Sequence, residues 1–99
     1  MATFNDIIKK NKLVLIDFSA EWCGPCQTLA PILKDVKETL SDDQVSILKI
    51  DVDKNRALAT KFQVQGVPTL ILFKDGQQVW RQSGLQTKGD LLQLIAQYK

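Results

Sequence analysis

The sequence predicts an α/β fold, in which a small mixed β-sheet carries helices on both of its faces. Segments with helical spacing of apolar residues alternate with short, continuous apolar runs in the order α-β-α-β-α-β-β-α. The last two strand segments are joined through Asp75 and Gly76, a residue pair typical of a β-hairpin turn. Alternating strands and helices favour parallel pairs with right-handed crossovers, and the hairpin adds an antiparallel edge.

Two helices and two strands are predicted before residue 52. Residues 3–12 predict a short amphipathic helix with its apolar side chains on one side: Phe4, Ile7 and Ile8. Residues 13–18 form an apolar run interrupted only by Asp17, which is typical of a strand buried on both faces. A helix is predicted from about residue 23 to residue 40, with apolar residues at helical spacing: Leu29, Ile32, Leu33, Val36 and Leu40. Residues 45–51 predict the second buried strand.

The remaining elements are two helices around a hairpin. Residues 55–62 predict a helix, and residues 69–73 and 77–83 predict the two hairpin strands. The last helix, residues 88–98, is capped by Thr87 and Asp90, and its predicted buried stripe is Leu91, Leu92, Leu94, Ile95 and Tyr98. We expect the four strands to lie in the sheet in the order second, first, third, fourth.

Composition restricts the possible functions. The chain has 99 residues, which suits a single domain spanning residues 1–99, and its net charge of +2 favours neither nucleic-acid binding nor an acidic tail. It has no histidine, so Ser-His-Asp triads, Cys-His proteases and histidine-ligated metals are excluded within the chain. Neither a membrane-spanning stretch of ~20 apolar residues nor an export signal is visible. We expect a cytoplasmic protein.

The two cysteines lie in one motif, Trp-Cys-Gly-Pro-Cys at residues 22–26, between a buried strand and a helix. Cys23 and Cys26 have the i, i+3 spacing that places side chains on one face of a helical turn, close enough for a disulfide. The helix N-terminus stabilises a thiolate at Cys23 and lowers its pKa. Pro25 in the first turn costs no hydrogen bond and stiffens the ring. These features indicate dithiol redox chemistry.

Three other interpretations of the motif compete with redox chemistry. A zinc site needs four ligands, so a metal would require carboxylates or a partner chain in addition to Cys23 and Cys26. A purely structural disulfide would close a very small ring, which stabilises a fold poorly. Two buried, inert cysteines are the third possibility, although Gly24 and Pro25 at a strand-to-helix junction favour exposure.

Four motifs in order along the chain resemble the thioredoxin family. They are Ile16-Asp17-Phe18, Ala20-Glu21-Trp22-Cys23-Gly24-Pro25-Cys26, Ala30-Pro31-Ile32-Leu33 and Gly66-Val67-Pro68-Thr69. The resemblance covers nearly the whole chain from Val14 onward. It implies a thioredoxin-like fold and a general protein-disulfide reductase with no cofactor beyond its redox-active disulfide. It also implies recycling by thioredoxin reductase, an NADPH-dependent flavoenzyme.

The resemblance implies roles for individual residues. Cys23 would be the exposed attacking thiol and Cys26 the buried resolving thiol. Pro68 would follow a cis peptide bond that faces the disulfide, and the backbone of Val67 would pair with an extended substrate segment. The flat apolar surface that contacts substrates would comprise Trp22, Gly24, Pro25, Val67 and Gly84.

Asp17 is informative without the family. A carboxylate inside an apolar strand carries a desolvation cost, so it is either paired or functional. Lys49, in the neighbouring strand, is the candidate partner, and a buried ion pair with no chemical role remains an alternative. In thioredoxin-like proteins the matching aspartate assists deprotonation of the resolving thiol, here Cys26. We expect Gly24, Pro25 and Lys49 to tune the redox chemistry.

The sequence departs from the family pattern at three places. Ser19 stands where the family usually has a large aromatic residue, and Gln27 replaces the usual basic residue after the second cysteine. Residues 1–12 are predicted to be mainly helix, so the first strand of the family is shortened or missing.

We therefore predict a protein-disulfide reductase that maintains reduced thiols in cytosolic proteins and donates electrons to reductive enzymes. It would act as a monomer on disulfide-containing proteins, with neither nucleic acid nor membrane as a partner. An oxidant or isomerase is one alternative, but such proteins often place a histidine between the two cysteines, where this chain has Gly24 and Pro25. A redox-independent binding subunit of a larger complex is the other alternative.

Overall fold

A computed structural model describes residues 3–10, 12–40 and 45–99. In chain order the helices and strands are α1 (Phe4–Lys10), β1 (Leu13–Ser19), α2 (Gly24–Thr39), β2 (Ser46–Asp51), α3 (Arg56–Lys61), β3 (Thr69–Lys74), β4 (Gln77–Ser83) and α4 (Lys88–Tyr98). Their type and order are those that the sequence predicts. Apart from α1, the bounds agree with the predicted ones to within one residue.

The first helix is shorter than predicted. α1 ends at Lys10, and Lys12 already lies outside the helix, because the chain must become extended before β1 begins at Leu13. Its start is fixed by a reciprocal cap: the Asp6 N–H donates to Thr3 Oγ1, and the Thr3 N–H donates to the Asp6 carboxylate, both at 3.1 Å. All the strands of the described residues follow this helix, in line with the predicted loss of the family's first strand.

The four strands form one mixed sheet in the predicted order, β2-β1-β3-β4. β1 pairs with β2 in parallel and with β3 antiparallel, and β3 and β4 form the hairpin. The turn of the hairpin has positive φ at both Asp75 and Gly76, 51° and 84°, the geometry that an Asp-Gly pair favours. β1 is central and all seven of its residues are buried, as the apolar run predicts.

Alternate residues of β1 contact two separate cores. Leu13 and Leu15 pack with residues of α2 and α4, whereas Val14, Ile16 and Phe18 pack with residues of α1 and α3. The second core contains an aromatic cluster with ring centroids 5.2–6.1 Å apart: Phe4, Phe18, Phe62 and Phe73. Because side chains alternate along a strand, Asp17 and Ser19 lie on the same face as Leu15, beneath α2.

The helix stripes are narrower than predicted. In α2 the fully buried apolar side chains from the predicted stripe are Leu29, Leu33 and Val36, and in α4 they are Leu91, Leu94 and Ile95. The outer members of both stripes are half-buried: Ile32, Leu40, Leu92 and Tyr98. Thr87 caps α4 as predicted, accepting the Asp90 N–H at 3.1 Å.

β2 lies at one edge of the sheet, and no described strand pairs with its outer side. The prediction of a second buried strand is therefore wrong, because β2 at the sheet edge is only partly buried. Leu48 is 36% exposed and Lys49 is exposed, whereas their partners on β1, Ile16 and Asp17, are buried. Among the described strands, this edge of the sheet is therefore open.

Candidate redox site

The strand-turn-helix junction after β1 positions both cysteines. Cys23 is the N-cap of α2, with extended backbone angles of φ −92° and ψ 114°. Its Sγ accepts the Cys26 N–H at 3.2 Å, so the sulfur occupies the place where a capping oxygen usually lies. Pro25 lies in the first helical turn, where its missing N–H leaves no bond unmade, as predicted.

Cys23 and Cys26 form a disulfide with their Cα atoms 5.3 Å apart. The residues are 4% and 3% exposed, so the prediction that Cys26 is buried is confirmed, whereas the prediction that Cys23 is exposed is wrong for this oxidised form. Both are buried because the closed ring packs against Ala20, with Val52 and Val67 beside it. Gly24 and Pro25, between the cysteines, are exposed, but they do not make the cysteines exposed as expected.

The loop before β3 lies against the disulfide. The Val67–Pro68 peptide bond is cis, as the family resemblance implies, and the Val67 carbonyl oxygen is 3.6 Å from Cys23 Sγ. The loop is held from two sides. Thr69 Oγ1 donates to the Gly66 carbonyl at 2.6 Å, and the Gly84 N–H donates to the Pro68 carbonyl at 2.9 Å. Gly84 has φ +93°, a conformation that favours glycine, which explains that residue type beside the site.

Trp22 is the most exposed large apolar side chain of the described residues, at 71%. Its indole Nε1 donates to Asp53 Oδ2 at 2.8 Å, which fixes the ring beside the disulfide. Asp53 was not predicted as a site residue. A signal was available, since Trp22 follows β1, Asp53 follows β2, and parallel neighbours end at the same edge of the sheet.

The predicted contact residues lie next to the disulfide or are bonded to the loop beside it. Trp22 and Val67 line one shallow cavity of about 80 Å³, and Gly84 is tied to the Pro68 loop. Leu85, which the sequence did not single out, follows Gly84 and is 51% exposed. This exposed leucine next to the loop extends the apolar surface. In the sequence, only its position as an apolar residue in a polar segment could have indicated this role.

Asp17 is buried, with 1% exposure, and its Oδ1 has no hydrogen-bond partner among the described residues. Burial raises the pKa of this carboxyl from 3.8 to about 6, and the positive charge of Lys49 opposes that rise. Lys49 lies opposite Asp17 in the β1–β2 register, as expected, but no ion pair joins these two described side chains. Asp17 is therefore an unpaired buried acid, not half of a closed ion pair.

Ser19 continues the same face of β1. Its Oγ is also buried without a partner among the described residues. The smaller side chain in place of the family's aromatic residue thus leaves a polar atom behind the active site. Gln27, the other departure, uses its side-chain amide to donate to the Glu21 carbonyl at 3.1 Å.

The part of the chain that the structure describes holds neither a candidate metal cluster nor a candidate membrane-spanning helix. No group of three or more His, Cys, Asp or Glu side chains in that part of the chain could hold a metal ion. No helix there is long and apolar enough to cross a membrane.

We expect an alkylating reagent at neutral pH to modify Cys23 faster than Cys26 in the reduced protein. The reason is the helix terminus, where the Cys26 N–H and the positive dipole end stabilise a Cys23 thiolate. Brief alkylation followed by peptide mapping measures the ratio, which we expect to exceed about tenfold. Denatured protein serves as the control, and equal rates in the native protein would contradict the assignment.

Comparison with known proteins gives a consistent result. The family model described as Thioredoxin matches residues 1–97. A thioredoxin-like protein of Synechocystis is 52% identical over 84 residues, which cover 85% of this chain and 79% of that protein. A thioredoxin of Chlamydia trachomatis is 48% identical over 87 residues, covering 88% of this chain and 83% of its own length.

A solved structure agrees with the sequence matches. A mutant thioredoxin from Halobacterium salinarum superimposes with a TM-score of 0.87 at 48% sequence identity. The match covers 95% of this chain and 80% of that one.

Proposed function

Because this chain belongs to the thioredoxin family and is a thiol-disulfide oxidoreductase, we propose that it works as a protein-disulfide reductase, with Cys23 as nucleophile and Cys26 as resolving thiol. The observation that supports this assignment best is the cap of α2. Cys23 Sγ already accepts the Cys26 N–H at 3.2 Å, and the same donor favours a thiolate when the ring is open. Cys23 is thus prepared for attack.

The reaction has two exchange steps. The Cys23 thiolate attacks one sulfur of a substrate disulfide, the substrate S–S bond breaks, and the departing thiolate takes a proton from solvent. Cys26 then loses its proton and attacks Cys23 Sγ, which releases the second substrate thiol and closes the Cys23–Cys26 disulfide. Two electrons and two protons pass to the substrate.

Asp17 is proposed as the base for the second step. It lies on the face of β1 beneath α2, the helix that contains Cys26, and its Oδ1 has no competing partner in the described structure. A pKa of about 6 leaves the carboxyl mostly ionised at neutral pH, yet basic enough to take up a proton. Lys49 tunes this base by charge across the strand pair, without direct contact.

Substrate binding is proposed to use the loop before β3. The Val67 backbone lies beside Cys23 and can pair with an extended segment that presents its disulfide to the sulfur. Trp22 and Leu85, both exposed, supply apolar contact on either side. Gly24, Pro25 and Gly84 complete this surface, because small or compact residues allow close approach of the substrate backbone.

Members of this family work with disulfide-containing substrates and with reductases. For this chain we propose recycling by an NADPH-dependent flavoenzyme, thioredoxin reductase, and action as a cytoplasmic monomer. The protein needs no cofactor in this scheme, because the Cys23–Cys26 pair itself carries the electrons. Electron donation to reductive enzymes and maintenance of cellular thiols follow from the same exchange.

An equilibrium titration of the Cys23–Cys26 pair against glutathione tests the direction of electron flow. We expect a reducing potential near about −270 mV, which is the reference value for thioredoxin itself and not a value worked out for this chain. The double variant Cys23→Ser/Cys26→Ser is the control for signals unrelated to the pair. A potential near about −120 mV, typical of a strong dithiol oxidant, would contradict the proposal.

A further inference from the structure

A cavity of about 220 Å³ lies between α2 and β2, and its residues differ in character from base to mouth. Asp17, 1% exposed, forms the base. Leu33 and Ile47 line the apolar wall, and the exposed residues Lys34, Lys37 and Lys49 line the mouth. The cavity lies apart from the disulfide surface, whose residues do not line it.

The base of this cavity contains a hydrogen-bond acceptor that has no donor. Asp17 Oδ1 is buried and has no hydrogen-bond partner among the described residues. A buried carboxylate oxygen without a donor is costly, so a molecule that brings an N–H or O–H group to this point gains a charge-assisted hydrogen bond. The cavity therefore favours an occupant with a donor at its inner end.

The mouth imposes the opposite requirement. Three lysines line it, and Asp17 is the only acid among the described lining residues. An anionic group placed at the mouth is attracted by these ammonium groups, whereas a cation is repelled. Between base and mouth, Leu33 and Ile47 favour an apolar body.

We propose that this cavity binds a small carboxylate with an apolar body and a hydroxyl group at its far end. The hydroxyl donates to Asp17 Oδ1, the body contacts Leu33 and Ile47, and the carboxylate meets Lys34 and Lys37. A simple inorganic anion lacks the apolar body and would bring its charge toward Asp17. A purely apolar molecule would leave Oδ1 unpaired.

Occupancy has a consequence that rests on the proposed role of Asp17 as base. A ligand that holds Oδ1 competes with proton transfer from Cys26, so it slows the second exchange step and prolongs the mixed disulfide. Binding itself does not depend on that role. Binding measured without turnover therefore tests the site, and turnover measured with ligand tests its link to the reaction.

The binding test uses 4-hydroxybenzoate with the full-length, isotope-labelled oxidised protein, followed by amide NMR shifts. We expect saturable shifts in α2 and β2 around Leu33 and Ile47, with little change around Trp22. Benzoate lacks the hydroxyl and phenol lacks the carboxylate, so each should bind at least about tenfold more weakly. Equal binding of all three molecules, shifts centred elsewhere, or no binding at all would overturn the proposal.

Charge variants test the mouth. The double variant Lys34→Gln/Lys37→Gln should weaken 4-hydroxybenzoate binding by about tenfold and leave its reductase activity without ligand unchanged, because neither lysine lies at the disulfide. Lys12→Gln/Lys99→Gln removes the same charge at exposed positions outside the cavity and should bind as the native chain does. Equal weakening in both double variants would show a general charge effect and would refute a site at Lys34 and Lys37.

The functional test measures decay of the mixed disulfide with and without 4-hydroxybenzoate. We expect saturating ligand to slow the decay severalfold in the native chain and to have a smaller effect in Lys34→Gln/Lys37→Gln. Ligand that binds in the cavity without slowing the decay would keep the binding site and refute its link to Asp17. An equal slowing in both proteins would refute the cavity as its cause.

Discussion

Cys26→Ser is expected to abolish turnover and to accumulate a covalent complex with substrate proteins through Cys23. The variant can still attack a substrate disulfide, since Cys23 keeps its place at the cap of α2, but it has no thiol to complete the second exchange. Loss of an essential nucleophile lowers the steady-state rate by more than about a thousandfold. Non-reducing electrophoresis and mass measurement of the adduct, after incubation with an oxidised protein substrate, test both expectations.

Cys23→Ser is the matched control, because it also retains one of the two cysteines of the motif. It should be equally inactive and should form little adduct, since Cys26 is not the cap residue and its N–H donates to position 23. Adduct formation at comparable rates in both variants would show that either cysteine can attack, and the assigned division of roles would then be wrong.

Asp17→Asn is expected to stabilise the protein at pH 8 and to slow it as a reductant. The pKa of Asp17 is about 6 in the folded protein, above its ordinary 3.8, so the native state keeps this proton to higher pH than the unfolded state does. The contribution of Asp17 to stability is therefore greatest below about pH 4, falls as pH rises from about 4 through 6, and remains lower above it. A shift of about two units corresponds to about 3 kcal/mol, the upper limit of the gain from removing the charge.

Asp17→Asn is expected to lower the rate of the reaction although it raises stability. Without a carboxylate, Cys26 loses the proposed base, and decay of the mixed disulfide at neutral pH should slow roughly tenfold to a hundredfold. Urea unfolding at pH 5 and pH 8 measures stability, and single-turnover kinetics measures decay. Glu38→Gln removes an exposed carboxylate from α2 and should change neither. A less stable Asp17→Asn protein with full activity would mean that Asp17 is structural.

The fold was largely predictable because its signals are local. β1 and β3 read as continuous apolar runs since each is buried on both faces, and the Asp75–Gly76 pair specified the hairpin through its two positive φ angles. The helix that begins at Phe4 was extended too far at its other end. The periodicity of apolar residues does not show how many residues the chain needs between the end of the helix and the start of β1 at Leu13.

The site was predictable where chemistry follows from position in a helix, and less so where it depends on packing. Cys23 at an N-terminus follows from the motif, but its burial depends on Val52 and Val67, which come from distant parts of the chain. The register that places Lys49 opposite Asp17 follows from strand order, whereas the absence of an ion pair depends on the side-chain geometry of Lys49. Such long-range details are not encoded in any short window of sequence.

Because β2 lies at the edge of the sheet, Lys49 also affects the tendency of the protein to aggregate. An uncovered strand is a template for another copy of the chain, and β2 presents Ile47, Leu48 and Ile50 within a single short segment. Lys49 interrupts that segment with an exposed charge, in the manner of a gatekeeper residue that disfavours edge-to-edge association. Replacing it by an apolar residue would remove the charge that lowers the pKa of Asp17 and also create an uninterrupted β-prone hydrophobic edge. An apolar residue at this position would therefore change colloidal stability as well as the pKa of Asp17.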